Sequence, residues 1–360
     1  MSPSRPERPA ILALDGGGSK VDAALVAASG RVLGAARWHR RGAPDLDGGD
    51  LESRGADGDD RYVRGAGRAI RAACRDAGLD PEAMPAARLG IYCLAGADLP
   101  VDDRRISRAI ARQGWTSEDV VRNDTFAILR AGSDRGWGIA VVCGHGMNCA
   151  GIAPNGRTFR FPAKGDLSGD WGGGADLGRT AVWFAVRAQD GRGSATSLSQ
   201  TVPDHFGLRG VGQLVQALHL GHISERRLDE LAPVVFGDAR RGDPIARSML
   251  DRQADEIVLM SGAAMRKLKM TALDADVVLG GGIFRNSDGA FLERIREGMR
   301  SQAPAARITI LTSPPVVGAA LLGLDHIGAT ARAAARVRQE LTHDRLTGAR
   351  PRRGGSARRR

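Results

Sequence analysis

Residues 11–38 read ILALDGGGSKVDAALVAASGRVLGAARW, and this stretch decides the fold. It begins with an apolar strand that ends on Asp15, and a tight turn follows over residues 16–20. A second strand is predicted over residues 21–28 and a third over residues 31–38, with a turn at Ser29 and Gly30 between them. The stretch therefore predicts two successive hairpins, the first closing on a run of glycines.

The same order of elements returns later in the chain. An apolar strand over residues 138–143 is followed by a glycine-containing turn at residues 144–148, a second strand at residues 149–153 and a third at residues 157–161. Elsewhere strands alternate with helices, which indicates an α/β architecture. The repetition predicts a duplicated fold whose two phosphate-binding turns face a shared cleft.

The predicted domain organisation has four parts. Residues 1–9 are expected to be disordered, residues 10–130 to form an N-terminal lobe, residues 131–330 to form a C-terminal lobe with a helical insert, and residues 331–360 to be a disordered basic tail. Residues 40–61 are rich in Gly and Asp and are predicted to be a loop. A last apolar helix over residues 316–329 is expected to pack back on the first lobe.

Composition excludes several classes of protein. With 360 residues, of which 42% are hydrophobic, the chain can bury the cores of two medium domains. No apolar run approaches the roughly 20 residues needed to span a bilayer, and no apolar segment follows the N-terminal charges, so neither a membrane protein nor a secretory signal is expected. The four cysteines are widely spaced without a CxxC pair, a pattern typical of reduced thiols in a cytoplasmic protein.

The net charge of +11 lies mostly in the tail. Residues 331–360 contain ten arginines against Glu340 and Asp344, which leaves a charge of only +3 on residues 1–330. The Gly, Pro, Ser and Arg content of the tail cannot build a core, and the tail has no aromatic residue that could stack on bases. A solvated tail is favoured over a dedicated nucleic-acid-binding arm, which stays as the alternative.

The turn at residues 16–20 has the composition of a phosphate-binding loop. Its three successive glycines allow the backbone to approach a ligand and to adopt positive φ, so that several N–H groups can converge on a phosphate. Ser19 can add a hydroxyl donor, Lys20 a point charge, and Asp15 a carboxylate suited to a Mg²⁺ ion held largely through water. The run does not match a Walker A loop, because a strand follows it. The alternative is a hairpin turn with spare glycines.

Asp124 is the candidate general base. It is expected at the junction of a short strand over residues 119–123 and a helix directly behind it, where side chains of α/β folds project into clefts. A phosphoryl acceptor hydroxyl needs a carboxylate within about 3 Å to orient it and take its proton. The alternative is an ordinary helix N-cap, a position that Asp favours.

The second glycine turn is also expected to hold phosphate. Gly144 and Gly146 supply its open backbone, and Asn148 could point its amide at phosphate or substrate. His145 is expected to act as a neutral hydrogen-bonding group, because no metal-ligand partner is spaced nearby.

Two later turns add candidate binding residues. Gly165 and Asp170 lie in a Gly-rich turn in which a carboxylate can accept hydrogen bonds from sugar hydroxyls. Residues 280–282 follow a buried strand and precede Arg285, and their glycines permit a flat nucleobase to lie against the backbone, with a tight strand-to-helix connection as the alternative. Trp171 is expected to pack.

The ordered set LDGGGSKVDAALV, RNDTFAILRAG, VVCGHGMNCAG, KGDLSGDWGGG and VVLGGGIFRN resembles the BadF/BadG/BcrA/BcrD ATPase family, which includes the N-acetylglucosamine kinases of the sugar kinase/actin/heat-shock ATPase superfamily. The resemblance covers about residues 10–328. It implies a duplicated, ribonuclease-H-like (actin-like ATPase) fold of two lobes, with ATP and Mg²⁺ in the cleft between them. It further implies transfer of the γ-phosphoryl group to a sugar hydroxyl.

The resemblance carries roles over by position. Asp124 takes the place of the catalytic aspartate. With the residues already named, the expected ATP-binding set is Gly16, Gly17, Gly18, Ser19, Lys20, Gly144, His145, Gly146, Gly281, Gly282 and Arg285. The expected sugar-binding set is Asp45, Asp124, Asn148, Gly165 and Asp170.

Several positions depart from the family pattern. His145 and Met147 replace the hydroxyl residues of the usual Gly-Thr-Gly-Ser turn, Trp171 replaces the acidic residue of Gly-Asp-Glu-Gly, and Asp45 stands where an asparagine often holds the sugar. These departures leave the identity of the sugar open. The branch of the family that activates iron–sulfur dehydratases is disfavoured, because the cysteines follow no cluster spacing.

The sequence thus predicts a cytoplasmic, ATP-dependent kinase of an amino sugar or related hexose. The expected partners are a small-molecule sugar and a second copy of the chain in a homodimer, with no membrane and no specific nucleic acid. Two alternatives stay open: an ATPase or regulatory module without a sugar acceptor, and a non-catalytic sensor of sugar or nucleotide.

Overall fold

The computed structural model describes residues 7–18, 20–39 and 57–348. The chain divides into two compact units: the first runs up to Ala131 and resumes at Ser313, and the second is Gly132–Thr312. Among the described residues the strands are, in chain order, β1 (Ile11–Gly16), β2 (Lys20–Val26), β3 (Val32–His39), β4 (Ala87–Leu94), β5 (Thr116–Asn123), β6 (Gly138–Cys143), β7 (Met147–Ile152), β8 (Thr158–Arg160), β9 (Asp276–Gly280) and β10 (Arg307–Ile310).

Helices surround the strands in both units. In chain order they are α1 (Asp57–Asp76), α2 (Pro100–Ala111), α3 (Asp124–Gly132), α4 (Gly174–Gln189), α5 (Leu198–His205), α6 (Val211–His219), α7 (Ala232–Arg240), α8 (Pro244–Leu268), α9 (Gly282–Asn286), α10 (Gly289–Gln302), α11 (Val316–His326), α12 (Ala331–Glu340) and α13 (His343–Thr347). Two 3₁₀ segments, Gly165–Ser168 and Glu225–Leu231, lie in the second unit.

The two sheets repeat one topology. The strand order is β3-β2-β1-β4-β5 in the first unit and, in the same sense, β8-β7-β6-β9-β10 in the second. In each sheet the first three strands form antiparallel hairpins, whereas the last two run parallel to the first. The prediction of a duplicated α/β fold is therefore confirmed.

Strand β1 shows how residue alternation builds the first unit. Ile11 and Ala13 belong to a core that also contains residues of α11, α12 and α13, whereas Leu12 and Leu14 belong to a core formed with α1 and α2. Successive side chains of a strand point to opposite faces of its sheet. All four side chains are fully buried, because helices cover both faces.

Helix α11 packs within the first unit. A Cβ atom on Gly323 would lie 2.6 Å from Cγ2 of Ile11, and one on Gly318 would lie 1.8 Å from the carbonyl oxygen of Ala127. Glycine is therefore needed for this close approach. The second unit consequently ends at Thr312, whereas the predicted lobe extended to residue 330.

The prediction that residues 331–360 are disordered is wrong for residues 331–348. These residues form α12 and α13, and they bury Ala333, Val337, Leu341 and Leu346 in the core of the first unit. Apolar residues at every fourth position lie on one face of a helix, and here they alternate with the arginines that suggested a tail. Residues 349–360 lie outside the described part of the chain.

Two other predicted irregular segments are partly ordered. Helix α1 begins at Asp57, within the loop predicted over residues 40–61, and residues 40–56 lie outside the described part. Within the predicted disordered N-terminus, Glu7 accepts a hydrogen bond from Oγ of Ser29 at 2.6 Å.

The second unit packs its sheet and helices around one core that includes much of α8. Asp243 caps this helix by accepting the backbone N–H of Ala246 at 2.8 Å, and Pro244 occupies its first turn. Among the described residues no helix is both long and apolar enough to cross a bilayer.

Candidate active site

The parallel strands of the first unit end at one edge of the sheet. Gly16, Leu94 and Asn123 are in register across β1, β4 and β5, so these three strand ends lie side by side. Asp15 comes just before this edge and Asp124 just after it. Because neighbouring strands are about 4.8 Å apart, the backbones that carry these two aspartates are separated by roughly 10 Å.

Asp15 is a buried carboxylate beside a cation. Its side chain lies at the end of β1, the residue is 7% exposed, and Oδ2 is 3.9 Å from Nζ of Lys20. Burial raises the pKa of Asp15 to about 6; the nearby charge of Asp22 adds to this effect, while Lys20 and Arg37 oppose it. The carboxyl group is therefore largely ionised at neutral pH.

Lys20 is held by carboxylates. Its Nζ lies 2.7 Å from Oδ2 of Asp22, and Arg37 donates to both oxygens of Asp22, from Nε at 2.6 Å and from Nη2 at 2.8 Å. Burial would raise the pKa of Asp22, but the hydrogen bonds and charges of Arg37 and Lys20 lower it. The side chain of Asp22 is fully buried, so this pair fixes the β2–β3 hairpin next to Asp15.

Asp124 opens α3 directly after β5, as predicted. Burial raises its pKa to about 7, helped by the charges of Asp15 and Asp98 and opposed by the backbone N–H groups of Thr125 and of Asp124 itself. The preceding residue, Asn123, performs the capping role, since its Oδ1 accepts the N–H of Thr125 at 3.1 Å and the Oγ–H at 2.5 Å. The alternative was that Asp124 is an ordinary helix N-cap. Its neighbour Asn123 largely performs that role instead.

Asp98 is a site residue that the sequence reasoning missed. It follows β4, is 6% exposed, and accepts a hydrogen bond from Nδ2 of Asn123 at 2.8 Å. Its position after a strand end parallels that of Asp124 and was the available signal. Asp98 thereby links the end of β4 to the start of α3.

Three glycine segments meet at the matching edge of the second sheet. A Cβ atom on Gly281 would lie 2.2 Å from the carbonyl oxygen of Cys143, and one on Gly173 would lie 2.6 Å from the carbonyl oxygen of Gly146. Both glycines have left-handed φ, +112° and +87°. The carbonyl of Gly144 accepts the N–H of Gly174 at 2.7 Å, so the turn is attached to the start of α4.

The glycines predicted to bind phosphate are less closely packed than Gly173 and Gly281. A Cβ atom on Gly18, Gly144 or Gly146 would have no described atom within 4 Å, and one on Gly17 would only reach the carbonyl oxygen of Lys20 at 3.9 Å. None of the four has the positive φ that the sequence reasoning invoked. Gly16 instead packs against a neighbouring strand, because a Cβ there would lie 2.5 Å from Cδ2 of Leu94.

The two polar residues of the second turn have protein partners. Nδ1 of His145 lies 3.0 Å from Oδ2 of Asp229, a residue 84 positions later that the sequence reasoning did not identify. Asn148 is 6% exposed and its Oδ1 accepts the N–H of Cys149 at 2.7 Å. Sequence spacing could not identify Asp229, because this residue lies in a distant 3₁₀ segment that packs on α4.

The structure brings Gly165 and Asp170 together in one turn. The N–H of Asp170 donates to the carbonyl of Gly165 at 3.1 Å, and Oγ of Ser168 donates to Oδ2 of Asp170 at 2.5 Å. The adjacent Trp171 packs under the guanidinium of Arg252, which lies 3.9 Å from its ring centre. The carboxylate of Asp170 is thus oriented by its own turn.

The last glycine segment begins a short helix. Gly281 precedes α9, Gly282 is its first residue, and Arg285 lies in its last turn, with Nη2 3.8 Å from the position of a Cβ on Gly282. These predicted nucleotide-binding residues are therefore local neighbours. Ser19 and Asp45 lie outside the described residues.

The sequence model of the BadF/BadG/BcrA/BcrD ATPase family matches residues 12–323. The chain belongs to this family. Among curated proteins it is 26% identical, over 228 residues, to an N-acetylmuramic acid/N-acetylglucosamine kinase of Clostridium acetobutylicum, covering 63% of this chain and 74% of that protein. It is 28% identical, over 212 residues, to an N-acetyl-D-glucosamine kinase of Dictyostelium discoideum, covering 57% of this chain and 65% of that protein.

Solved structures support the fold of this family member. A proposed N-acetylglucosamine kinase of Chromobacterium violaceum aligns with a TM-score of 0.67 at 23% identity, over 88% of this chain and 100% of the other. The ROK hexokinase of Thermus thermophilus aligns with a TM-score of 0.53 at 18% identity, over 89% of this chain and 99% of the other. At these identities the likeness shows a shared sugar-kinase fold.

The residues of this BadF-family protein fit a water-mediated Mg²⁺ site. In the described part of the chain, no group of three or more His, Cys, Asp or Glu side chains is arranged to hold a metal. Mg²⁺ usually keeps several waters and takes one or two carboxylates plus substrate phosphates. Asp15, a carboxylate at a strand end next to a glycine turn, suits this mode of binding.

Proposed function

We propose that this protein is an ATP-dependent kinase that transfers the γ-phosphoryl group of ATP to a hydroxyl of an amino sugar related to N-acetylglucosamine. The observation that supports it best is the position of Asp124, which opens α3 directly after β5 at the same sheet edge as Asp15, and burial raises its pKa to about 7. A base with a pKa near the working pH removes a hydroxyl proton efficiently. The names of the curated relatives supply the substrate class.

In the proposed reaction, Asp124 orients the acceptor hydroxyl and takes its proton as the oxygen bonds to the γ-phosphorus and ADP leaves. Asn123 and Asp98 hold the start of α3, so the carboxylate is presented from a fixed backbone. Mg²⁺ held through water at Asp15 would neutralise charge on the phosphates. Most of the rate enhancement then comes from positioning and electrostatics, as is usual for phosphoryl transfer.

The open glycines support phosphate binding at both turns. Side chains on Gly17, Gly18, Gly144 or Gly146 would not collide with the described fold, so the fold alone does not explain these glycines. A ligand that approaches the backbone closely would explain them, because a Cβ atom would occupy its place. We assign Gly281, Gly282 and Arg285 to adenine and ribose, as the family resemblance implies.

Sugar binding is assigned to the second unit's polar turn and to Asn148. Asp170 offers a carboxylate for sugar hydroxyls, and Ser168 fixes one of its oxygens. The assignments of Ser19 to phosphate and of Asp45 to the sugar stay predictions from the sequence.

The cytoplasm is the compartment that we propose. All four cysteines are buried free thiols, and burial raises the pKa of the Cys143 thiol to about 12 and also raises the pKa of Cys93 and Cys149. Such thiols are unreactive and suit a reducing compartment. A homodimer, and the absence of a specific nucleic-acid partner, stay predictions that size-exclusion chromatography with and without oligonucleotide would check.

A coupled ADP-release assay tests the proposal. The purified protein would be tested with ATP, Mg²⁺ and a panel of N-acetylglucosamine, N-acetylmuramic acid, glucosamine, glucose and mannosamine. We expect Asp124→Asn to lower kcat by about 10²-fold or more while the Kd for ATP is retained. Asp204→Asn, a carboxylate on α5 that hydrogen-bonds Gln200, is the control and should keep normal turnover.

Three outcomes would contradict the proposal. ATP hydrolysis that no sugar stimulates would favour the ATPase module. ATP binding without turnover across the panel would favour a sensor. Near-normal turnover of Asp124→Asn would remove this residue from the role of base.

A further inference from the structure

The pair formed by His145 and Asp229 is built into the second glycine turn. The imidazole stands in the middle of the turn with 56% of its side chain exposed, and its Nδ1 lies 3.0 Å from Oδ2 of Asp229. The side chain of Asp229 is 38% exposed. More than half of the side chain is therefore open to a ligand at this turn.

Two close contacts fix Asp229 beside the turn. A Cβ atom on Gly178 would lie 1.8 Å from the carbonyl oxygen of Leu228, and one on Gly174 would lie 3.0 Å from Cβ of Asp229. The 3₁₀ segment Glu225–Leu231 thus lies in a notch on α4 that only glycines leave open. The first residues of α4 also donate hydrogen bonds to the carbonyls of Gly144 and His145, at 2.7 and 2.9 Å. The glycine turn that contains His145 and the carboxylate of Asp229 are consequently both held at the N-terminal end of α4.

The hydrogen bond between Nδ1 of His145 and Asp229 determines whether Nε2 can donate a hydrogen bond or only accept one. When Nδ1–H donates to the carboxylate, the neutral ring has a lone pair and no hydrogen on Nε2. A lone pair repels phosphate oxygens. His145 can therefore donate to a phosphate through Nε2 only after it takes a second proton from the solvent, and the charge of Asp229 stabilises the imidazolium that results.

Other charged groups surround the turn. In the first turn of α4, Asp176 accepts the N–H of Gly172 at 2.8 Å and pairs with Arg179 at 2.7 Å, so its charge is already compensated. From α8 the neutral Gln253 accepts the N–H of Gly173 at 2.7 Å. On the 3₁₀ segment itself, Glu230 pairs with Arg227 and His205. Asp229 is thus the carboxylate that bonds the imidazole directly.

We propose that Asp229 and a phosphate of the bound nucleotide together stabilise His145 as an imidazolium whose Nε2–H donates to that phosphate, so that nucleotide binding takes up a proton. The inference rests on the proposed use of ATP at this turn. His145 would then be a cationic phosphate ligand, in contrast to the neutral role expected from the sequence, and Asp229 would be its positioning residue. The proton comes from solvent, and no bond to the nucleotide is made or broken.

Isothermal titration calorimetry in buffers of different ionisation enthalpy tests this proposal. Full-length protein would be titrated with ATP and Mg²⁺ at several pH values between 6 and 8.5, and the slope of the observed enthalpy against buffer enthalpy gives the protons taken up. We expect ATP binding to take up protons in the upper part of this range. The affinity for ATP should then fall with rising pH by up to about tenfold per unit.

Three variants separate the roles. His145→Gln should remove the proton uptake and lower the affinity at pH 6.5 by about tenfold or more, the effect of losing one charge-assisted hydrogen bond. Asp229→Asn should reduce the uptake while the ring is retained. His205→Gln is the matched control, because it removes a histidine–carboxylate pair with a 3.2 Å contact to the same 3₁₀ segment but outside the turn. It should bind like the wild type.

The possible results are distinguishable. If wild type and His145→Gln differ in neither proton uptake nor affinity, the inference is overturned even though the kinase proposal survives. If the wild type binds no ATP, the proposed function itself fails. If Asp229→Asn takes up protons like the wild type, Asp229 loses its positioning role. Thermal denaturation of each variant at the same pH would show that the fold is retained.

Discussion

The two sheets place different residues at matching positions. Asp15 is the next-to-last residue of β1 and is paired with Asp22 on β2, whereas Val142 is the next-to-last residue of β6 and is paired with Asn148 on β7. Both β2 and β7 thus bury a polar side chain at this position, with 0% of Asp22 and 6% of Asn148 exposed. The first pair carries charge and the second does not.

The contrast continues at the strand ends. In the first unit Asp98 and Asp124 follow β4 and β5, whereas in the second unit Gly281 follows β9 and the turn after β6 is rich in glycine. The same strand order therefore presents carboxylates in one unit, where the pKa values of Asp15 and Asp124 are raised, and bare backbone in the other. The topology determines where a functional group can stand, and the residues at the strand ends determine what it can do.

The largest difference in stability is expected between variants at the two matching polar positions, Asp22 on β2 and Asn148 on β7. Asp22→Asn should lower the free energy of unfolding by about 3–5 kcal/mol, because it leaves the charges of Arg37 and Lys20 without their buried carboxylate. Asn148→Ala at the matching position should cost only about 1–3 kcal/mol, because it removes a neutral acceptor. Urea denaturation of both variants at pH 7.5 measures the difference. Equal losses would show that the charge of Asp22 is not the stabilising feature.

The glycines of the second unit should separate stability from binding. Gly281→Ala places a Cβ 2.2 Å from the carbonyl oxygen of Cys143 at a φ of +112°, so we expect a loss of about 1–3 kcal/mol or more. Gly144→Ala meets no described atom within 4 Å and should change stability by less than about 0.5 kcal/mol. Its effect should instead be a weaker affinity for ATP.

Thermal unfolding and nucleotide titration of both variants provide the measurement, and Gly18→Ala extends the comparison to the first unit. It also has no described atom near its added Cβ, so it should behave like Gly144→Ala. Unchanged ATP affinity in both open-glycine variants would indicate hairpin turns with spare glycines, the alternative that the sequence left open.

The local sequence pattern predicted those features of the fold and of the site that are determined by residues close together in the sequence. Apolar strands, glycine turns and their repetition identified both hairpin units, and the observed sheets follow this order. The position of Asp124 after a strand was found in the same way. The helices after residue 330 were missed because their arginines dominated the composition, although Ala333, Val337 and Leu341 mark an apolar face.

The remaining site residues depend on contacts between distant segments. Asp229 reaches His145 only because the 3₁₀ segment fits the glycines of α4, and a sequence distance of 84 residues carries no sign of that fit. Asp98 reaches Asn123 across two neighbouring strand ends, 25 residues apart. The raised pKa of Asp124 likewise follows from burial and from the charges of Asp15 and Asp98, which a linear pattern does not express.

A smaller effect than the losses at Asp22 and Gly281 is expected for stability at the candidate base, and its sign is opposite to the effect on activity. The folded-state pKa of Asp124 is raised to about 7, above its value in an unfolded chain, so its contribution to stability is complete at low pH and is lost as the pH rises from about 4 through 7. At pH 8 the folded protein holds an ionised carboxylate in an environment that disfavours it. Asp124→Asn removes this charge.

We therefore expect the inactive variant Asp124→Asn to be more stable than the wild type at pH 8, by on the order of 1 kcal/mol, and to have a smaller advantage at pH 5, where the carboxyl group of the folded wild type is largely neutral. Urea denaturation without Mg²⁺ or nucleotide at the two pH values measures this, with Asp204→Asn as the control that should show no gain. A variant that is less stable at pH 8 would mean that Asp124 holds the start of α3 together. In that case Asp124 would be a structural carboxylate at the end of β5. The contrast between a carboxylate-bearing first sheet and a glycine-bearing second sheet would then depend on Asp15 alone.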